Sequence, residues 1–593
     1  MPTTVSLDSA DLGILVLLFL LCGILAVPAG LALRWWYRRA VLSAMLRSAR
    51  EEAAPADAFA ARPTTAGPPP PPPALRIEVL HAEEPAAADA EAAALFGLAA
   101  RARWSLALVY ALAGAAYTAC ALLIYHYALP WEGKVDEMGR LFVSLSLLWP
   151  MVPVVAAVGV ARGASQLLAP AVYFLLMFII LTAILPATLY PAELTLDLND
   201  PELTRMSVVL APVGLQPRAL AGLILFIVFL FVWPFIVFVP TVMFVAFQYL
   251  RAVGIVVGFT MVLLLLGMAA GMMLTKAGLE GWWLAAAWLL VFAAEAAAAW
   301  LLVKLLARRY AGKKMSDQSV VIDSYWLAVS VCMGLLVGSG YGLWLAALFL
   351  LPFVVYKLVL WAALGLRRRR AARAPDIRLL LLRVFSNRRT RGLLEDLGRF
   401  WRYVGSIQLI AGADLATSNV ELHEFLDFVS RRLRDRFIKD SADLAGQVEA
   451  IDFRPDPDGR YRVNEFFCYD DTWRETLVEL VERSDAVLMD LRGFTPQNEG
   501  CVFELRQLLN IVPAGRLVLT TDRRTDFDFL YATLRDAWNG MDDDSPNRAA
   551  SRPVLRILYA PEQSSRAVRR LLSLLFEAAQ SARRAAPPQV EPA

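Results

Sequence analysis

Two patterns of apolar residues divide this chain of 593 residues. Up to about residue 366 they come in unbroken runs as long as a membrane-crossing helix, about 20 residues. About nine such runs stand near 12–33, 104–128, 141–161, 167–187, 219–248, 252–274, 281–305, 322–339 and 342–365. The run 322–339 is short and broken by Gly338, Ser339 and Gly340, so it either spans or re-enters. Beyond 366 the runs shrink to strand length and alternate with amphipathic stretches. IRLLLLRVF (377–385), IQLIAG (407–412), AVLMDL (486–491), RLVLTTD (516–522) and PVLRILYA (553–560) read as buried strands. Between and after them, 391–404, 421–437, 471–483, 501–510, 527–538 and 565–579 carry helical periodicity. Thr472 and Glu475 are spaced as a capping box. DPDGR, inside 449–470, is a turn signal between two short extended pieces, an inserted hairpin.

Continuous apolar strands alternating with helices predict a parallel sheet covered on both faces. The fold class expected is therefore a polytopic α-helical membrane domain of about nine spans, followed by a cytoplasmic α/β domain with a five-stranded, flavodoxin-like sheet. The expected divisions are a first span at 1–33, a largely disordered Pro/Ala-rich loop at 34–102 and a helix bundle at 103–366. A basic linker (367–376), the α/β domain (377–583) and a disordered tail (584–593) complete the chain. PPPPPP at 68–73 marks the loop as polyproline or unstructured, either a spacer or a partner-binding segment. The first run is too long for a cleavable signal and is followed by RWWYRR.

Composition sharpens the division. The chain is 58% hydrophobic with a mean hydropathy of +0.51, against a usual apolar share of about 45–50%. A net charge of +3 gives no reason to expect nucleic acid as a partner; the bilayer is the expected one. The distribution of charge says more. With the N-terminus outside, the inner loops hold RWWYRR, Arg162, Arg251, KLLARRYAGKK and RRRRAAR, while the outer loops hold five scattered cations. That asymmetry obeys the positive-inside rule and places the α/β domain in the cytoplasm of a plasma or inner membrane. Five cysteines without C-x-x-C spacing argue against zinc and against a disulfide framework. Within the apolar runs, Glu295 and Lys357 lie at similar depth and are expected to pair, as a structural ion pair or a transport element.

In an open α/β sheet, ligands bind beyond the carboxyl ends of the strands. The loops there are SNRRT, ADLATSN, RGFTPQNEG and DRRTD, in which Arg and Asn recur. Such residues suit an anionic ligand of nucleotide type and are also ordinary loop residues. Ser386, Arg388 and Arg389 of the first loop and Asp490, Arg492 and Asn498 of the third are the candidate ligand-binding residues.

The stretch SDAVLMDLRGFTPQNEGCVFELRQLL (484–509), with Cys501, Glu504 and Leu505 as C-x-x-E-L, resembles one part of the Toll/interleukin-receptor (TIR) fold. It is also similar to nucleoside deoxyribosyltransferase-like folds, which work on N-glycosidic bonds. The resemblance implies that Glu504 is the catalytic carboxylate, with NAD or another nucleotide as substrate or ligand. Asp490 or Asn498 would then hold ribose hydroxyls, and Arg388 and Arg389 phosphates. It covers about twenty residues at motif level. The DPDGR insertion and the loop after the second strand depart from it. Many TIR domains only assemble with one another, which implies a homo-oligomer as the alternative. Three functions follow: a membrane-anchored signalling protein, an N-glycosidase using Glu504, or a transporter with a regulatory domain.

Overall fold

The computed structural model describes residues 28, 30–45, 72–83, 90–129, 278–341, 343–370, 376–383, 396–398, 400–411, 425, 428–429, 433–469, 472–562 and 564–585. Isolated positions at 151, 263, 266–267, 270–271 and 274–275 are described as well. The runs expected to span at 141–161, 167–187 and 219–248 fall almost wholly outside these residues, as does the SNRRT loop with Ser386, Arg388 and Arg389. The chain forms two compact units. One comprises Met1–Arg34, Trp104–Arg308 and Asp317–Arg369, and the other Trp35–Arg103, Arg309–Ser316 and Arg370–Ala593.

The elements begin with strand β1 (Arg76–His81) and helices α1 (Ala90–Tyr127), α2 (Gly281–Ala311), α3 (Asp317–Tyr341), α4 (Leu343–Leu348) and α5 (Leu351–Arg370). Three helical stretches among the described residues are long and apolar enough to cross a membrane: Phe96–Tyr127, Gly281–Ala311 and Trp344–Arg369. Their outward positions are apolar, with Leu289, Leu290, Trp344 and Trp361 exposed. Water would penalise that surface, and a bilayer would not. The run 322–339 lies within the continuous helix α3, which passes through Gly338 to Gly340 without a break.

The first unit is held by an aromatic core. Trp326 of α3 packs on Tyr117 of α1 with ring centroids 4.2 Å apart and on Tyr356 of α5 at 5.9 Å. Some of its polar groups are matched across helices. The Tyr117 hydroxyl and Ser330 Oγ are 2.9 Å apart. The expected Glu295–Lys357 pair is not formed. Lys357 Nζ instead meets Asp323 Oδ2 at 2.6 Å, and the Tyr356 hydroxyl donates to Asp323 Oδ1 at 3.0 Å. Glu295 packs against the backbone of Gly267, where any side chain would collide with it.

The second unit is built on strands β2 (Ile377–Arg383), β3 (Gly405–Ala411), β4 (Phe437–Ile438), β5 (Val463–Cys468), β6 (Ala486–Asp490), β7 (Leu517–Thr521) and β8 (Val554–Tyr559), together with β1. Its helices are α6 (Ser441–Glu449), α7 (Trp473–Glu482), α8 (Glu499–Ile511), α9 (Phe527–Asn539) and α10 (Ser565–Ala585). All neighbouring strands are parallel, in the order β1-β8-β7-β6-β2-β3-β5-β4. The sheet thus has eight strands, not five. The five expected strands sit side by side as β3-β2-β6-β7-β8, the order 2-1-3-4-5 when they are numbered by themselves. Strands β5 and β4 extend one edge and β1 the other.

Two expectations fail on these additions. Residues 76–81 belong to the stretch read as a disordered loop, yet β1 runs along β8 over six residue pairs. The Trp538 indole also donates to the Pro73 carbonyl at 2.8 Å. The DPDGR insertion is not a hairpin, because β5 after it pairs in parallel with β3 and β4 rather than folding back.

Helices cover both faces of the sheet. Leu380, Leu382, Val487, Met489, Leu517 and Leu519 point to one side, against α6 to α9. Leu379, Leu381, Ile407, Leu488 and Val518 point to the other, against α10 and Trp401, whose ring stacks on Phe576 at 5.1 Å. This alternation is the period-two geometry of a strand with both faces covered. Gly405 stands directly opposite Ile377, where a Cβ would run into the Ile377 backbone, so only glycine fits. Helix α7 starts at Thr472 without the expected capping box. The Thr472 hydroxyl is used instead to tie Tyr469 N and the Ile438 carbonyl together, at 3.1 and 3.0 Å.

Candidate functional site

The order of the strands fixes where a ligand would be held. Chain connections from β2 run outward to β3 on one side, and those from β6 run outward to β7 on the other, so β2 and β6 flank a topological switch point. Both strands end there on a charged residue, and the two are in register: Arg383 pairs with Asp490. Both side chains are buried.

Asp490 is fully engaged. Arg492, two residues on, turns back and clamps it with Nε to Oδ1 and Nη2 to Oδ2, both at 2.7 Å. Thr520 at the end of β7 adds a third donor to Oδ1 at 3.0 Å. The loop after β6 is then stitched to the loop after β7. Gly493, at φ +76, donates its N–H to Asp522 Oδ1 at 3.0 Å, and the Thr525 hydroxyl donates to the Leu491 carbonyl at 2.9 Å. Asn498 is engaged as well, its Oδ1 accepting from Thr495 N at 2.9 Å and Thr495 Oγ1 at 3.1 Å. Asp490, Arg492 and Asn498 therefore brace one loop in this arrangement.

Glu504 behaves differently. It lies on α8 on the side that carries Cys501, Leu505 and Leu508 into the core, and only 2% of it is exposed. The Cys501 thiol approaches the Arg383 carbonyl at 3.9 Å, which puts this side of α8 at the end of β2. One carboxyl oxygen of Glu504 is buried with no hydrogen-bond partner. Burial pushes its pKa up to about 8, against the opposing charge of Arg383. At neutral pH the group is mostly a protonated carboxylic acid. Such a group donates a hydrogen bond, and it ionises when positive charge develops beside it.

Trp473 packs edge-on against Phe503 at 5.4 Å, with the Arg474 guanidinium 4.7 Å over the Phe503 ring. Arg383, Thr520 and Asp522 were not anticipated as site residues. The available signal was position: each is a polar residue at the end of an apolar strand run. A groove of about 230 Å³ lies at the opposite end of the sheet, by the starts of β7 and β8, and is lined by Ala514, Asn547, Pro553 and Arg556 among others. Nothing in it addresses Glu504. No protein-family model, curated protein or solved structure matches the chain.

Proposed function

We propose that this is a membrane-anchored signalling or sensor protein whose α/β domain takes an anionic ligand of nucleotide type at the switch point between β2 and β6. The observation that carries this reading is the meeting of Arg383 and Asp490 in register at that point, with Glu504 buried close by. Arg383 supplies positive charge beside the strand ends. The Asp490–Arg492 pair fixes the loop through which a ligand would enter. The distribution of Lys and Arg supports a cytoplasmic position for the domain and an outside N-terminus. Self-association of the domain is the alternative carried over from the TIR resemblance.

A second reading is favoured by Glu504 itself. A buried carboxyl with one unpartnered oxygen and a raised pKa is what an N-glycosidase needs next to a ribose carbon. As the bond to nicotinamide in NAD breaks, positive charge grows on the ribose, and ionisation of Glu504 would stabilise it.

The test uses the full chain in lipid nanodiscs, because β1 belongs to the sheet and a 377–583 fragment lacks it. Binding of NAD, ADP-ribose and 5′-mononucleotides is measured, together with nicotinamide release. Arg383→Met is expected to weaken binding by about tenfold or more, the effect of losing a charged partner. Equal binding by wild type and Arg383→Met would sink the assignment. Nicotinamide release that survives Glu504→Gln would remove the glycosidase reading alone.

A further inference from the structure

The DPDGR insertion takes no part in the site just described, yet it buries two carboxylates. Asp456 is 2% and Asp458 0% exposed. The loop is closed on itself by Asp456 N to the Arg460 carbonyl and by Gly459 N to the Asp456 carbonyl, both at 2.8 Å. Gly459 sits at φ +77, as such a turn requires. Arg460 pairs with Asp458 at 3.1 Å. Spacer loops do not bury two carboxylates, because each must be matched with a cation at considerable desolvation cost.

The second half of the arrangement is the connector between α2 and α3, residues 309–316, which belongs to the same compact unit as the sheet. Arg462 Nε donates to Asp456 Oδ1 at 2.9 Å, and its Nη2 reaches out to the carbonyls of Tyr310 at 2.8 Å and Met315 at 3.2 Å. The guanidinium also lies 3.9 Å over the Tyr310 ring. One cation of the insertion thus grips the connector at both ends. The Tyr310 carbonyl stands in the last turn of α2, where the helix dipole favours positive charge.

The grip is reciprocal. Lys313 of the connector donates to the carbonyls of Asp452 and Arg454 and stands 3.7 Å from the Asp452 carboxylate. Burial lowers the pKa of Lys313, with the Asp452 charge opposing, so the ammonium is desolvated rather than waving in water. Lys313 also holds φ at +50, a left-handed conformation that lysine adopts at a cost of about 1–2 kcal/mol. Gly312, next to it, would take that conformation freely. Strain of this kind persists only where surrounding contacts over-determine it. Here the ammonium contacts act together with a helix C-cap, in which Lys313 N donates to the Tyr310 carbonyl and Lys314 N to the Arg309 carbonyl, both at 3.0 Å. The basic run KLLARRYAGKK, which the sequence offers only as a topology signal, thus contributes Lys313 to a protein contact.

We propose that the 452–462 loop is a docking site for the α2–α3 connector, and that this latch carries a displacement of the α2–α3 helix pair into strand β5. The route is short. Arg462 is followed directly by Val463, the first residue of β5, and Tyr461 is tied to Arg402 by two backbone-directed bonds of 2.7 Å just ahead of β3.

Hydrogen exchange read by mass spectrometry on the full chain in nanodiscs tests this. Arg462→Met removes the fork. Lys313→Gly removes the ammonium while relieving the left-handed backbone, so a loosened latch is not confused with a broken turn. Each variant is expected to speed exchange in both 309–316 and 452–468 by about tenfold, with β7 unchanged. Loosening confined to the side that carries the substitution would overturn the latch. Asp323→Asn, on α3 and outside the latch, is expected to change exchange in 452–468. Identical exchange there would overturn transmission and leave only a static contact. If Arg462→Met does not fold, Lys313→Gly and Asp323→Asn still decide the question.

Discussion

Two buried carboxylates, fourteen residues apart on either side of one loop, are treated in opposite ways. Asp490 at the end of β6 receives a two-pronged arginine and a threonine hydroxyl. Glu504 on α8 has an oxygen with no partner at all. Both lie beside the same switch point, and neither reaches bulk water. A carboxylate that the fold has matched is part of the fold. A carboxyl left unmatched raises the folding free energy, and such groups are retained where something else uses them. On the proposed reading, the difference separates the brace of the site from its reactive group.

The largest effect expected from this contrast is a pH dependence. The Glu504 pKa is raised from 4.5 in the unfolded chain to about 8 in the fold. The folded state therefore holds its proton more tightly. The contribution to stability is complete below about pH 4.5 and declines as pH rises, until the loss levels off above about 8. At about 1.4 kcal/mol per pH unit, the decline amounts to about 5 kcal/mol as an order of magnitude. Chemical unfolding between pH 5 and 9 should show this slope in the wild type, and Glu504→Gln should flatten it. A slope unchanged by Glu504→Gln would show that the group is already matched.

Asp490→Ala comes next. It strands the Arg492 guanidinium in a buried place, at a cost of about 3–5 kcal/mol. Its thermal unfolding should fall far below that of Glu504→Gln, and equal midpoints would erase the contrast. Removing β1 is expected to cost about 2 kcal/mol, since Ile77 and Val79 of that strand are half-buried against the sheet. Unfolding of the chain with and without residues 72–83 measures it. The smallest effect is that of Thr472→Ala, about 1 kcal/mol, from loss of the link between Tyr469 and Ile438.

The five central strands could be read from the chain because burial on both faces makes each a continuous apolar run, as in Leu379 to Leu382. The outer three could not. RIEVLH of β1 is an edge strand whose residues are at best half-buried, so polar and apolar positions mix, and a proline run precedes it. Strand β4 has two residues, too few for any pattern. Strand β5 follows a turn signal, and that signal suggested a hairpin. Periodicity carries no information about which strand a strand will pair with.

The site shows the same limit. C-x-x-E-L on a helix reads equally well as a core helix with a solvated glutamate. Glu504 is buried because α8 lies against the end of β2, a contact between residues more than a hundred positions apart. Lys357 was matched with Glu295 by depth alone. Depth does not say which helices are neighbours, and α3 brings Asp323 to it instead.

The central claim is that the switch point holds a ligand and that Arg383 and Glu504 address it. The most direct measurement is a titration of NAD into the full chain in nanodiscs at pH 7, dilute and crowded, alongside Arg383→Met and Glu504→Gln. The account expects saturable binding that Arg383→Met weakens by about tenfold or more while the fold is retained. Binding that is indifferent to both substitutions, or no binding of NAD, ADP-ribose or any 5′-mononucleotide under either condition, would contradict it.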